Sequence, residues 1–177
     1  MKKSTTWIQC ALVCTSIFAG AVFAQENPKL SDEEVASVAV VANQIDISYA
    51  EIAKEKSKDA EILKFAETMT NDHKAVIGQA SALVKKLGVT PKDNAVSQKL
   101  LADAEQTKKA LRTKSGKAFN KAYIDNEVTY HKAVIGAVEG LLIPEAENAE
   151  LKELLQNVVP ALKTHLEHAE MVQKMYK

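Results

Sequence analysis

The chain carries few of the features that brace or anchor a protein. Only two of its 177 residues are cysteine, Cys10 and Cys14, and both fall within the first 24. Those 24 have the form of a secretory signal peptide: Lys2 and Lys3, an apolar run from Trp7 to Ala21, then Val22-Phe23-Ala24 ahead of Gln25. Neither cysteine follows a lipobox, since Ala11-Leu12-Val13 lacks leucine at its first position and a small residue at its last, so no lipid anchor is expected. Cleavage after Ala24 leaves residues 25–177 without a thiol, so no disulfide can brace them even in an oxidising compartment. Beyond residue 24 no window reaches the roughly 18 uninterrupted apolar residues of a membrane span. Neither sign of charge dominates: the 23 basic residues match the 23 acidic ones, and losing Lys2 and Lys3 leaves a formal excess of two negative charges. No basic run or basic-aromatic alternation offers a phosphate-binding stripe, which excludes nucleic acid as a partner class. There is no nucleophile elbow, phosphate-cradling glycine loop or dinucleotide fingerprint either, so an enzymatic role would rest on a bound metal alone. What remains is one exported domain, periplasmic or secreted, spanning residues 25–177 and long enough to build a core without staples.

What the chain does have is helical periodicity. Ser31-Asp32-Glu33-Glu34 is a capping box, a serine with glutamate three residues on, and Val35, Val38, Ala42, Ile45, Tyr49 and Ile52 then form the seam of a first helix. Asp59 caps a second helix, whose seam Ile62, Ala66, Met69, His73, Val76, Ala80, Leu83, Leu87 steps by four and three residues and stops at Gly88, with Pro91 behind it. A third major helix reads from Ser115 to about Ile143, with Pro144 as its stop. A fourth starts near Asn148 and carries Leu151, Leu155, Leu162, His165, Ala169 and Val172; Pro160 predicts a kink or break one turn before His165. The 28 residues from Gly88 to Ser115 are too many for a bundle turn. Ser97 to Arg112 reads as a weak helix on a crossover that makes the second and third major helices parallel; a fifth helix in an up-down array is the alternative. The fold expected is all-α, an antiparallel four-helix bundle with a long crossover that holds a short extra helix.

The informative residues are polar ones on apolar seams. His73 stands where the second helix should bury a hydrophobe, His131 lies between Ile124 and Val134, His165 between Leu162 and Val172, and Asp46 sits beside Ile45. Counted from a turn near Lys58, Asp46 is 12 residues back and His73 15 forward, a height difference of about 4 to 5 Å. In the second hairpin the mismatch between His131 and His165 is six residues, about 9 Å, with Glu127 closer to level with His165. A lone polar group in an apolar core costs roughly 2 to 7 kcal/mol, so these groups must meet something. Two arrangements satisfy them: a metal held by Asp46, His73, His131, His165 and Glu127, or a metal-free hydrogen-bond network within a binding or structural module. A metal-dependent redox enzyme is a third reading. No Glu-x-x-His motif is present, since Val128 and Leu162 occupy the places the glutamates would need, which argues against a di-iron centre and towards zinc, copper or a single iron. Met69, Met171 and Met175 keep copper open. Asp72, Tyr130 and His168 are candidates for positions behind the ligands. The hexapeptide His-Lys-Ala-Val-Ile-Gly occurs at both 73–78 and 131–136 and fits either two equivalent hairpins or the chance similarity of two amphipathic helices.

Three of these patterns together resemble a known family. Phe65-Ala66-x-x-Met69-x-x-Asp72-His73, Ser115-Gly116-x-x-Phe119-x-x-Ala122-Tyr123 followed by His131, and Pro160-x-Leu162-x-x-His165 are similar to secreted bacterial proteins grouped as domain of unknown function 4142 and often labelled outer-membrane proteins. The resemblance runs from roughly Val38 to Val172. It implies a ferritin-like four-helix bundle and export, and supplies no activity. The family commonly has glutamate near position 46; the aspartate here has a shorter reach. Seams of period 3.6 cannot form the alternating strands of an outer-membrane barrel.

Overall fold

The computed structural model describes residues 28–176, and all regular structure among them is helical. The expected signal segment, residues 1–24, lies outside them. α1 (Asp32–Lys56) begins at the capping box: Ser31 Oγ accepts from the Glu34 amide, and Glu34 Oε2 accepts from the Ser31 amide. α2 (Ala60–Leu87) starts where Asp59 Oδ1 accepts from the amides of Glu61 and Ile62. It ends at Gly88, whose φ of 66° needs a residue without Cβ. α3 (Ala95–Arg112) is capped by Asn94 and so begins two residues before the predicted start at Ser97. α4 (Gly116–Ala137) continues through a π turn (Val138–Leu142) into the single turn α5 (Ile143–Glu145), and α6 (Ala149–Gln173) begins at the Asn148 cap.

Helix directions follow from the ties at their ends. The start of α3 is bonded to the start of α1, through Lys92 N–H to the Glu33 carbonyl and Asn94 Nδ2 to the Glu34 carbonyl. Its end meets the end of α1, where Lys56 Nζ donates to the Arg112 carbonyl. α3 therefore runs back along α1 as the predicted crossover, burying Ala104 and Leu111. α4 then starts at the far end, where Ser57 Oγ donates to Asn120 Oδ1, and returns to the near end, where Asp32 accepts from the amides of Glu147 and Asn148. The packed neighbours are α1 with α2, α4 with α6, α2 with α6 and α1 with α4. All four pairs are antiparallel, and the parallel helices α2 and α4 face each other across the diagonal.

Of the two prolines read as helix interrupters, Pro144 behaves differently from expectation and Pro160 leaves its helix unbroken. Pro144 does not stop its helix. In the π turn the Ile143 amide bonds back to the Val138 carbonyl, and Pro144 falls in the first turn of α5, where its missing N–H costs nothing. The chain thus stays helical to Glu145, and the count changes: His131 stands 14 residues before Glu145 and His165 16 after Ala149, a height difference of about 3 Å. Pro160 does not break α6, which runs through it; it and Gln156, whose carbonyl loses its helical partner, are both exposed, so water can take that carbonyl. The repeated hexapeptide lies in the second helix of one hairpin and the first of the other. A hairpin duplication would have put it in the same place in each.

The core is divided in two. One cluster, at the end where α1 finishes, is built on Ile52, Ile62, Phe65, Met69, Phe119 and Tyr123; the other, at the opposite end, on Val35, Val38, Leu142, Leu151, Leu155 and Leu162. Each large side chain fully buried there stabilises the fold by roughly 1.5 to 3 kcal/mol. The polar seam residues lie between the two.

Candidate metal centre

Each of the four long helices of the bundle sends polar side chains into this middle layer. α1 supplies Asn43 and Asp46, one turn apart; α4 supplies Glu127 and His131 at four-residue spacing, so that both share a face; α2 supplies His73 and α6 His165. All five predicted ligands are buried, with Asp46 and His131 at 1 % exposure and Glu127 at 0 %. The three imidazole rings form a triangle with centroids 5.3, 5.6 and 5.9 Å apart. Asp46 Oδ2 lies 3.4 Å from His73 Nε2 and 3.6 Å from His131 Nε2, and Glu127 Oε2 lies 3.7 Å from His131 Nδ1. Ligand atoms fall into two overlapping sets, His73/His131/His165 and Asp46/Glu127/His131, each within 4.8 Å.

The hydrogen bonds fix which nitrogen of each ring carries its proton. Asn43 Nδ2 donates to the Ala39 carbonyl, which turns Asn43 Oδ1 towards His73; Nδ1 of His73, 2.7 Å away, must be the donor. His131 Nδ1 faces the Glu127 carbonyl at 3.0 Å and must also donate. His165 Nε2 donates to Asp72 Oδ2 at 2.9 Å. One nitrogen of every ring is thereby pinned by an acceptor. The other, His73 Nε2, His131 Nε2 or His165 Nδ1, is a buried lone pair without a hydrogen-bond partner. Metal-binding histidines are commonly held this way, because the outer acceptor sets both tautomer and ring orientation.

The electrostatics point the same way. Burial pushes Asp46 from 3.8 up to about 8, and burial followed by the charge of Asp46 holds Glu127 well above the usual carboxylate range. Burial drives His73 down to about 3 and His131 down to about 4, His73 being lowered further by its neighbouring imidazoles. Neither oxygen of Asp46 has a hydrogen-bond partner, the side chain of Asn126 is the one hydrogen-bonding neighbour that lowers Glu127, and among the described residues no lysine or arginine lines the cavity around the cluster. The layer is an array of acceptors that lacks a cation, and its donor set fits a transition-metal ion. With bonds of about 2.0 to 2.1 Å, tetrahedral ligands stand about 3.3 Å apart, so loading requires the rings to close in modestly.

The outer candidates divide. Asp72 does anchor His165. Tyr130 donates to the Ala42 carbonyl and packs edge-on against Tyr49 and His131, so it walls the cluster without pointing a donor into it. His168 turns away and meets the ring of Phe65 at 5.1 Å, because it lies three residues from His165 and off the seam. Met69 is core, while Met171 and Met175 are exposed. Sequence reasoning missed Asn43, which was legible only as a polar residue one turn before Asp46. The distance from His165 to the others, expected to be the weak point, closes through the extended helix before Glu145.

Among the described residues no helix is long and apolar enough to cross a membrane. No curated protein matches the sequence. Among solved structures the chain is similar to one described as CopM in the Cu(II)-bound form, with a TM-score of 0.63 and 16 % identity over 84 % of this chain and 100 % of that one, a likeness of fold. The sequence profile of the family described as Domain of unknown function (DUF4142) matches residues 19–172, and the chain belongs to that family.

Proposed function

We propose that this is an exported metal-handling protein that takes up a divalent transition ion, copper first, at His73, His131 and His165, with Asp46 and Glu127 balancing its charge. The observation that carries the reading is the set of three orphaned imidazole nitrogens, each converging on one point while its partner nitrogen is held by an acceptor. A site rich in imidazole with no thiolate follows the general order of divalent affinity, in which Cu(II) stands above zinc, nickel and iron. The structurally similar CopM was solved with Cu(II), which agrees with that order. Export to the periplasm or beyond rests on the form of residues 1–24.

The test is elemental analysis of protein purified from the periplasm without a polyhistidine tag, followed by Cu(II) and Zn(II) titration of the chelator-treated form. Wild type should take up close to one equivalent, and the His73→Ala/His131→Ala double variant should lose it while keeping its helical circular dichroism. Equal uptake by wild type and double variant would sink the reading.

A further inference from the structure

A chamber of about 490 Å³ runs from the histidine cluster into the half of the bundle built on Val38 and Leu155. That is within the size range of small-molecule sites. Its walls are almost wholly apolar, with Val38, Val76, Ala80, Val134, Leu155 and Leu162 among them, and along α6 they extend from His165 past Leu155, more than ten residues or about 15 Å. The lining includes the exposed Ala75, Ala133 and Ala161, which give the chamber a mouth on the surface. At the cluster end the inward-facing polar atoms without a hydrogen-bond partner are mostly acceptors, led by His73 Nε2, His131 Nε2 and His165 Nδ1, with the carboxyl of Asp46 beside them. An apolar tube that ends in acceptors is complementary to an apolar chain that ends in donors.

We propose that the chamber binds a primary aliphatic amine, its ammonium group donating to the inward nitrogens and to Asp46 and its alkyl chain lying along the apolar walls. The ammonium has three N–H donors for the three inward imidazole nitrogens, and Asp46, a neutral acid in the empty site, becomes its counter-charge by giving up its proton to solvent on binding. A fatty acid of the same length presents acceptors to acceptors and is rejected. Amine and metal compete for the same lone pairs, so saturating Zn(II) displaces the amine. The inference uses those lone pairs and the chamber, and does not depend on a metal being the physiological occupant.

Metal-free protein titrated with butyl-, hexyl- and octylammonium chloride, by calorimetry and by carbon–proton correlation spectra, tests this. Binding at one equivalent is expected, tightening about fourfold per added methylene as the chain enters the apolar walls. Resonances of His73, His131, His165, Val134 and Leu162 should shift, and octanoate should bind at least tenfold more weakly. Ala80→Leu, which narrows the chamber, should weaken octylammonium binding while still taking up Zn(II). Octanoate binding as tightly as octylammonium, affinity indifferent to chain length, or no octylammonium binding would each overturn the proposal, and all three are read on wild type even if Ala80→Leu fails to fold. Zn(II) uptake without amine binding overturns this proposal alone; amine binding without metal uptake overturns the metal reading alone.

Discussion

Free of any metal ion, the protein should lose stability as pH rises through neutrality. Asp46 is raised from 3.8 to about 8, so between those values the native state keeps a proton that the unfolded chain has released. That contribution to stability is present at low pH and lost on the way to 8. Glu127 is displaced in the same direction by burial and by Asp46. His73 and His131 act oppositely: lowered from 6.5 to about 3 and about 4, they stay neutral while the unfolded chain takes up protons, so their contribution is lost on acidification below 6.5. Below 6.5 the carboxyls and the two histidines oppose one another. Above 6.5 the opposition from His73 and His131 ends, and a carboxyl held protonated costs about 1.4 kcal/mol per pH unit. Asp46 gives an expected loss of about 2 kcal/mol by pH 8, with Glu127 adding in the same direction, against the roughly 5 to 15 kcal/mol that holds a typical domain together. Urea unfolding followed by circular dichroism at several pH values, after chelator treatment, measures it. Asp46→Asn should remove about one proton's worth of the slope, and saturating Zn(II) or Cu(II) should reverse its sign, because metal uptake expels those protons. A metal-free protein at least as stable at pH 8 as at 6.5, with an unchanged denaturant slope, would show that the buried carboxyls are not held protonated and would refute the reasoning.

Three further outcomes follow from the packing. Asp72→Ala leaves the His165 Nε2 proton without its acceptor and should weaken metal binding 10- to 100-fold by calorimetry; Asp72 is half exposed, so the unfolding free energy should move by no more than about 0.5 kcal/mol. Phe65→Ala empties a fully buried site between Tyr123 and His168 and should cost about 3 to 5 kcal/mol in denaturant unfolding. Under limiting peroxide, Met171 and Met175, 61 % and 62 % exposed, should reach the sulfoxide before the fully buried Met69, as peptide mass spectrometry would record.

The helices were legible because their signals are local. The Ser31 box, the Asp59 and Asn148 caps and Gly88 each act within four residues, and every one sits where the sequence puts it. The crossover was legible from length alone, since 28 residues must go somewhere. Pro144 misled because a proline's cost depends on what its neighbours do with the freed backbone groups: a π turn absorbs it, and at Pro160, where α6 runs on unbroken, solvent faces the freed carbonyl. Heights along a bundle inherit every error in a turn: with the helix ended at about Ile143 the sequence count left His131 and His165 six residues out of line, and measured from Glu145 and Ala149 the mismatch is two. Asn43 was hidden for a different reason. Nothing in an isolated asparagine tells that its carbonyl orients an imidazole 30 residues away.

The same physics explains why a site of this kind sits where the hydrophobic layers part. Two carboxyls and the imidazoles of His73 and His131, taken from water, are tolerable in uncharged forms, which is how burial leaves them: acids protonated, bases neutral. The repeated His-Lys-Ala-Val-Ile-Gly then needs no duplication event, because α2 and α4 run parallel across the bundle diagonal and each must turn a histidine inward with the small and β-branched residues that follow it. On the reading proposed above, an entering divalent ion finds the Nε2 lone pairs of His73 and His131 already free and oriented. It needs to displace protons only from Asp46 and Glu127, and those protons are the ones that compact the empty site. Loading is therefore favoured as pH rises and release as it falls, which makes the two carboxyls, more than the three histidines, the groups that set how tightly the ion is held at a given pH.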